Sequence, residues 1–122
     1  MALCLVAGEV VARLAVASFT LAWTHSVERV RWEEDWRIAD GLLVPVAARI
    51  KGSGAGMEPP EDAVLRDGYW IYRPRLAPLA HLDLARSDSV ADWQLCLDGA
   101  CRSLGSYLPG PASTVTLRGC AD

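Results

Sequence analysis

Residues 18–36 read SFTLAWTHSVERVRWEEDW, and the reading of this stretch decides the fold. Phe19, Leu21, Trp23 and His25 alternate with Thr20, Ala22, Thr24 and Ser26, the period of a half-buried strand. After a short polar break the alternation resumes with Val30, Trp32, Glu34, Trp36 and Ile38. With residues 26–29 as a four-residue loop, His25 opposes Val30, Trp23 opposes Trp32, Leu21 opposes Glu34 and Phe19 opposes Trp36. Directly opposed residues of an antiparallel pair share a face, so all eight side chains point the same way. A slip of one residue would send Trp32 and Trp36 to the other side. Glu34 is the odd member of this apolar face. Glu33 and Asp35 fall on the opposite face with Arg31 and Arg37, so the three acids cannot chelate one cation together. The expectation for Glu33, Asp35, Arg31 and Arg37 is a solvated ladder of charge pairs, each of small value.

Outward from this hairpin, every segment reads as a short strand or a turn. Residues 3–7 are a compact apolar run. Val10, Ala12, Leu14 and Val16 then alternate with Val11, Arg13 and Ala15, after a turn at Gly8. Asp40-Gly41, Asp67-Gly68 and Asp98-Gly99 are two-residue hairpin signals, since a type I′ turn needs positive φ at both central positions. Residues 42–50 form a further strand, with Pro45 marking an edge or a bulge. Residues 51–62, KGSGAGMEPPED, are too rich in glycine and proline for a regular element. Trp93, Leu95 and Leu97 share a face, Trp70 and Trp93 are expected in the core, and residues 113–118 (STVTLR) make a last β-branched strand. No sustained helical period appears, and residues 87–93 hold a helical turn at most. The expectation is a single all-β domain over residues 1–122, a small antiparallel β-sandwich or partly closed β-barrel of roughly 8–10 short strands.

Composition removes several classes of function. The 122 residues are 52% hydrophobic and carry a net charge of −3 with both signs dispersed. Nucleic-acid binding wants a basic face, which this chain lacks. No apolar run is long enough for a transmembrane helix. The first ten residues are interrupted too early, by Gly8 and Glu9, to serve as a signal peptide. The chain is therefore either cytosolic or a mature form whose export signal lies outside this sequence.

The four cysteines, Cys4, Cys96, Cys101 and Cys120, favour the exported form. With Asp98-Gly99 as a type I′ turn, Leu97 and Ala100 form the hydrogen-bonded pair and Cys96 and Cys101 the next, non-hydrogen-bonded one. Their Cα atoms would then lie ~4.5 Å apart, just inside disulfide reach. Cys4 and Cys120 sit at the two ends, and joining them would staple first strand to last. Four free thiols and a four-cysteine zinc site are the alternatives, the latter disfavoured because only one pair is closely spaced.

His25-Ser26-Val27-Glu28, then Glu34 six residues on, then Ser53-Gly54-Ala55-Gly56-Met57 after a strand, resemble the motifs of the domain of unknown function 1850 family of small bacterial and archaeal proteins. The likeness extends over nearly the whole chain. Val30-Arg31-Trp32 stands where the family pattern has Thr-Pro-Val, and Met57-Glu58-Pro59 departs from the usual second loop. The resemblance assigns no activity. Genes of this family tend to lie beside those of tripartite ATP-independent periplasmic (TRAP) transporters that use the TAXI class of binding protein. It thus implies an extracytoplasmic accessory of solute uptake, with a TAXI-type binding protein or TRAP membrane subunits as partners.

The candidate ligand- or partner-binding residues are His25, Ser26, Glu28, Glu34, Ser53, Gly54, Gly56 and Glu58. His25 and Ser26 are strand neighbours that face opposite ways, so they do not form a nucleophile–base pair. His25 reads more simply as a cap on the core, and Ser26 as the start of a turn. A carboxylate at Glu34 needs a partner or a raised pKa. The glycine-rich turn at 53–56 could offer successive N–H groups to Glu34, or to a small anion or carboxylate solute. No catalytic residues, metal or cofactor are assigned. The expected function is a non-enzymatic, periplasmic or otherwise extracytoplasmic accessory acting by protein–protein contact. The alternative is a small-solute binding domain or minor enzyme using His25, Glu34 and the glycine loop 52–58.

Overall fold

Three Asp-Gly pairs turn the chain between neighbouring strands. Asp40, Asp67 and Asp98 have φ of 53°, 54° and 51°, and the glycines that follow them 76°, 82° and 84°. Both central residues are left-handed in each case, as a type I′ turn requires, and each turn joins two adjacent strands. The computed structural model describes residues 1–24, 30–51 and 60–121. Eleven strands form among them: β1 (Ala2–Ala7), β2 (Val10–Leu14), β3 (Ser18–Thr24), β4 (Arg31–Ala39), β5 (Leu42–Lys51), β6 (Val64–Arg66), β7 (Tyr69–Tyr72), β8 (Leu82–Leu84), β9 (Gln94–Leu97), β10 (Ala100–Ser103) and β11 (Val115–Cys120). A 3-10 turn at Leu104–Ser106 is the one helical element among the described residues. The sequence reading missed it, because three residues are too short for a period to show.

The strands assemble into two antiparallel sheets. One has the order β2-β1-β11-β8 and the other β10-β9-β3-β4-β5-β7-β6. First and last strands pair, with Leu5 opposite Leu117. The sheets stay open and stack as a sandwich rather than closing into a barrel. The β3/β4 register is the one the alternation dictates, with Trp23 opposite Trp32, Leu21 opposite Glu34 and Phe19 opposite Trp36.

The core lies between the sheets. Leu3, Leu5, Leu84, Val115 and Leu117 of the smaller sheet pack with Phe19, Leu21, Trp36, Ile38, Leu43 and Leu95 of the larger. Leu104 and Leu108 fill one end from the 3-10 turn and the segment after it. Each such side chain contributes about 1.5–3 kcal/mol on burial. Gly119 marks a close approach of the two layers, where a Cβ would lie 2.8 Å from the Gly41 carbonyl oxygen and 3.0 Å from Ile38 Cγ2. Pro45 sits at a bulge: the β4/β5 register shifts between Asp35 and Trp36, and Trp36 pairs with Pro45. Only Ala48–Lys51 of β5 pairs with β7, so the missing N–H of Pro45 costs that ladder nothing.

Both disulfides form, and no cysteine remains free. The free-thiol and zinc alternatives are thereby excluded, since all four sulfurs are spent in pairs. Cys4 and Cys120 are diagonal neighbours on β1 and β11, with Cα atoms 6.0 Å apart. Cys96 and Cys101 are directly opposed on β9 and β10, with Cα atoms 3.9 Å apart, closer than expected. Their sequence separations of 116 and 5 make the first worth ~5 kcal/mol and the second ~2 kcal/mol in the loop-entropy account.

Candidate functional site

Residues Glu33, Glu34 and Asp35 of β4 divide between the two faces of the larger sheet, and each face builds a different environment. On the inner face one row of paired residues runs Leu21, Glu34, Ala48, Tyr72 across β3, β4, β5 and β7. The next row toward the hairpin tip runs Trp23, Trp32, Ile50, Trp70. Glu34 thus stands between tryptophans, as its register requires, and is half-buried rather than exposed. Burial pushes its carboxyl above the usual range, and the neighbouring Trp36 indole offsets only part of this. That indole N–H closes no hydrogen bond of good geometry among the described residues, and neither does the buried N–H of Trp70. Burial, and then the negative charge of Glu34, push the Tyr72 phenol up, which places the two groups within electrostatic reach of each other.

On the outer face Arg49 of β5, which the sequence reading did not single out, gathers both acids. Its Nη1 and Nη2 donate to the two Asp35 carboxylate oxygens at 2.6 and 2.8 Å, and its Nε to Glu33 at 2.9 Å. Thr20 Oγ1 donates to Asp35 at 2.6 Å. Arg31 Nε donates to the other Glu33 oxygen at 2.7 Å, and its Nη1 to Gln94 Oε1 at 3.0 Å. Burial works against both carboxylates, but the hydrogen bonds and charges of Arg31 and Arg49 hold Glu33 below the usual range. Arg49 and Thr20 do the same for Asp35. Those two acids raise the Arg49 pKa further, against its own burial. The expected solvated ladder is therefore corrected. The side chains of Arg49, Glu33 and Asp35 are only 25%, 19% and 32% exposed, and Arg37 takes no part.

The described surface carries several concavities. A groove of about 420 Å³ at one end of the sandwich is lined by Trp23, Thr24, Ala85, Val90 and Trp93 among others. Trp23 stacks on Trp32 at 5.8 Å and meets Trp93 at a tilt at 4.9 Å. Trp93 is anchored by its N–H to the Ala85 carbonyl at 2.9 Å. Beneath it Asp92 accepts from Arg86 Nε and Nη2 at 2.9 and 3.2 Å, and from the N–H groups of Trp93 and Gly105 at 2.9 and 2.8 Å. The Arg86 side chain is only 7% exposed, so this pair fixes the groove floor. Burial opposes the charge on Asp92, yet Arg86 and the two N–H groups hold it below the usual carboxylate range. A wider groove of about 680 Å³ crosses the outer face, from Arg37, Val46 and Arg49 to Asp98 and the Cys96–Cys101 pair. A third, of about 320 Å³, lies among Pro60, Asp62, Tyr72 and Arg75.

The predicted site residues fare unevenly. Glu34 is inward and desolvated as expected, but it lines none of these three grooves. His25, Ser26, Glu28, Ser53, Gly54, Gly56 and Glu58 lie outside the described residues. Of the tryptophans expected in the core, Trp93 packs against it, whereas Trp70 is half-buried on β7. Among the described residues no group of three or more His, Cys, Asp or Glu is placed to hold a metal ion. No helix among them is long and apolar enough to cross a membrane.

These features define a disulfide-stapled antiparallel β-sandwich with an aromatic groove at one end and an ion-paired outer face. Residues 19–104 match the family model described as a domain of unknown function, number 1850, and the chain belongs to that family. No curated protein and no solved structure matches it.

Proposed function

We propose that this protein is a non-enzymatic extracytoplasmic binding module that serves a TAXI-type TRAP transporter by protein–protein contact. The aromatic groove carries this reading. Trp23 and Trp93 form its wall, Val90 stands 57% exposed at its rim, and the Arg86–Asp92 pair holds its floor rigid. An aromatic anchor presented on a fixed frame, beside exposed apolar surface, is the usual make-up of an interface centre. The two disulfides support an oxidising compartment. The family resemblance supplies the transporter. Crosslinking in the native envelope, followed by co-purification, should recover the TAXI-type binding protein or a TRAP membrane subunit. Val90→Asp should abolish that complex while leaving the melting temperature unchanged. Absence of any complex under crosslinking would overturn the proposal.

A second reading has one observation in its favour. Glu34 is a desolvated acid on the inner face beside the Trp36 indole, and the buried indole N–H of Trp70 on the same face has no hydrogen-bond partner among the described residues. An acceptor and a donor of this kind on one inner face suit a small polar solute. A panel of small carboxylates should then raise the melting temperature of the parent, and not of Glu34→Gln.

A further inference from the structure

Cys96–Cys101 closes a far shorter loop than Cys4–Cys120 and is the lesser staple of the two. Its half-cystines are directly opposed and five residues apart, and the Asp98-Gly99 turn and the β9/β10 ladder already hold them together. Its surroundings are nonetheless specific. Cys96 is 7% exposed and packs against the sheet, whereas Cys101, on the edge strand β10, is exposed along with the rest of that strand. Arg31 reaches the pair from β4, two strands beyond β9. Glu33 and Gln94 hold its Nε and Nη1, and its remaining nitrogen, Nη2, lies 3.8 Å from Cys101 Sγ. Ala22, paired with both Glu33 and Gln94, has the small side chain this crossing needs. Both half-cystines line the 680 Å³ groove on the outer face. Cys101 is thus the exposed half of the pair, and a cation held by Glu33 and Gln94 sits beside its sulfur.

We infer that Cys96–Cys101 is a thiol–disulfide exchange site, with Cys101 as the sulfur that external thiols attack and Arg31 as its positioning cation. An incoming thiolate bonds to Cys101 Sγ, the Sγ–Sγ bond breaks, and its electron pair leaves on Cys96, which takes a proton from water. A second thiolate attacks the incoming sulfur of the mixed disulfide and releases Cys101 as a thiolate beside the Arg31 guanidinium. Two external thiols are oxidised to one disulfide, and the protein disulfide is reduced to a dithiol. In reverse, the Cys101 thiolate is the nucleophile, because an adjacent guanidinium favours thiolate over thiol. In Cys4–Cys120, by contrast, Cys4 is 5% exposed and Cys120 half-buried, so neither half is as open as Cys101.

The test equilibrates the intact, folded chain in glutathione redox buffers and maps alkylated cysteines by mass spectrometry. The expected result is that Cys96 and Cys101 open in buffers that leave Cys4–Cys120 closed, with the glutathione adduct on Cys101. In the reduced hairpin, Arg31→Met should move the pH midpoint of Cys101 alkylation up by about one unit, a reaction ~10-fold slower near neutrality. Arg31→Lys should restore it, and circular dichroism should show all the variants folded at the assay temperature, although Arg31→Met loses its pairing with Glu33. Thioredoxin, at matched thiol concentration, distinguishes a protein dithiol from a small thiol as the faster partner. Opening of both disulfides only on unfolding, an adduct on Cys96, or equal alkylation profiles in parent and Arg31→Met would each overturn the inference.

Discussion

Glu33 and Asp35 differ from Glu34 only in which way the pleat turns them, yet they live under opposite electrostatics. The outer pair is gripped by Arg31, Arg49 and Thr20 and held below the usual carboxylate range despite burial. The inner acid has tryptophans for neighbours, and burial pushes it the other way. Burial alone therefore does not set the sign of a shift. What decides is whether a cation from another strand arrives to offset it.

Removing that cation should break the contrast most severely. Arg49→Met would leave Asp35 without its cation and Glu33 with Arg31 alone. We expect a loss of about 2–3 kcal/mol in urea unfolding at neutral pH, toward the lower end of buried ion-pair disruptions because water still reaches the site. A loss under 0.5 kcal/mol would mean that Arg31 and Thr20 suffice alone.

Acid titration comes next. The folded pKa values of Glu33, Asp35 and Asp92 lie below their ordinary values of 4.5, 3.8 and 3.8, so their stabilisation is present above those values. It is lost as the pH falls through the depressed folded values. Glu34 runs in reverse: its folded value lies above 4.5, so protonation on acidification favours the fold, and the benefit is lost as the pH rises through that value. Melting temperature against pH should therefore fall steeply below about pH 4. In Arg49→Met this acid limb should be shallower.

Glu34→Gln isolates the inner acid. It keeps the shape and removes the charge, so the variant should be at least as stable as the parent at pH 7, with the difference disappearing below about pH 4.5. A marked destabilisation at pH 7 would instead show that the ionised form has strong donors of its own. The smallest effect belongs to Arg37→Ala. Arg37 is exposed and shares the outer face without an ion pair among the described residues, so its loss should change stability by less than about 0.5 kcal/mol.

Much of this was legible from residue order. Strict alternation in residues 19–38 determined the β3/β4 register and put Glu34 inside, because a pleated strand allows only two directions. The Asp-Gly pairs determined three hairpins, since few other dipeptides tolerate two left-handed residues in succession. The Cys96–Cys101 bridge followed from the third of these. Periodicity says which face a side chain takes but not which distant residue it meets there. Hence Arg49 over Glu33 and Asp35, Arg31 beside Cys101, and Arg86 under Asp92 with the Gly105 N–H were decided only by the packing of strands and turns far apart in the chain. The choice between an open sandwich and a closed barrel was likewise tertiary. It turned on β1 pairing with β2 and β11 while β10 and β6 end the larger sheet among the described residues, and local propensity is the same for either arrangement.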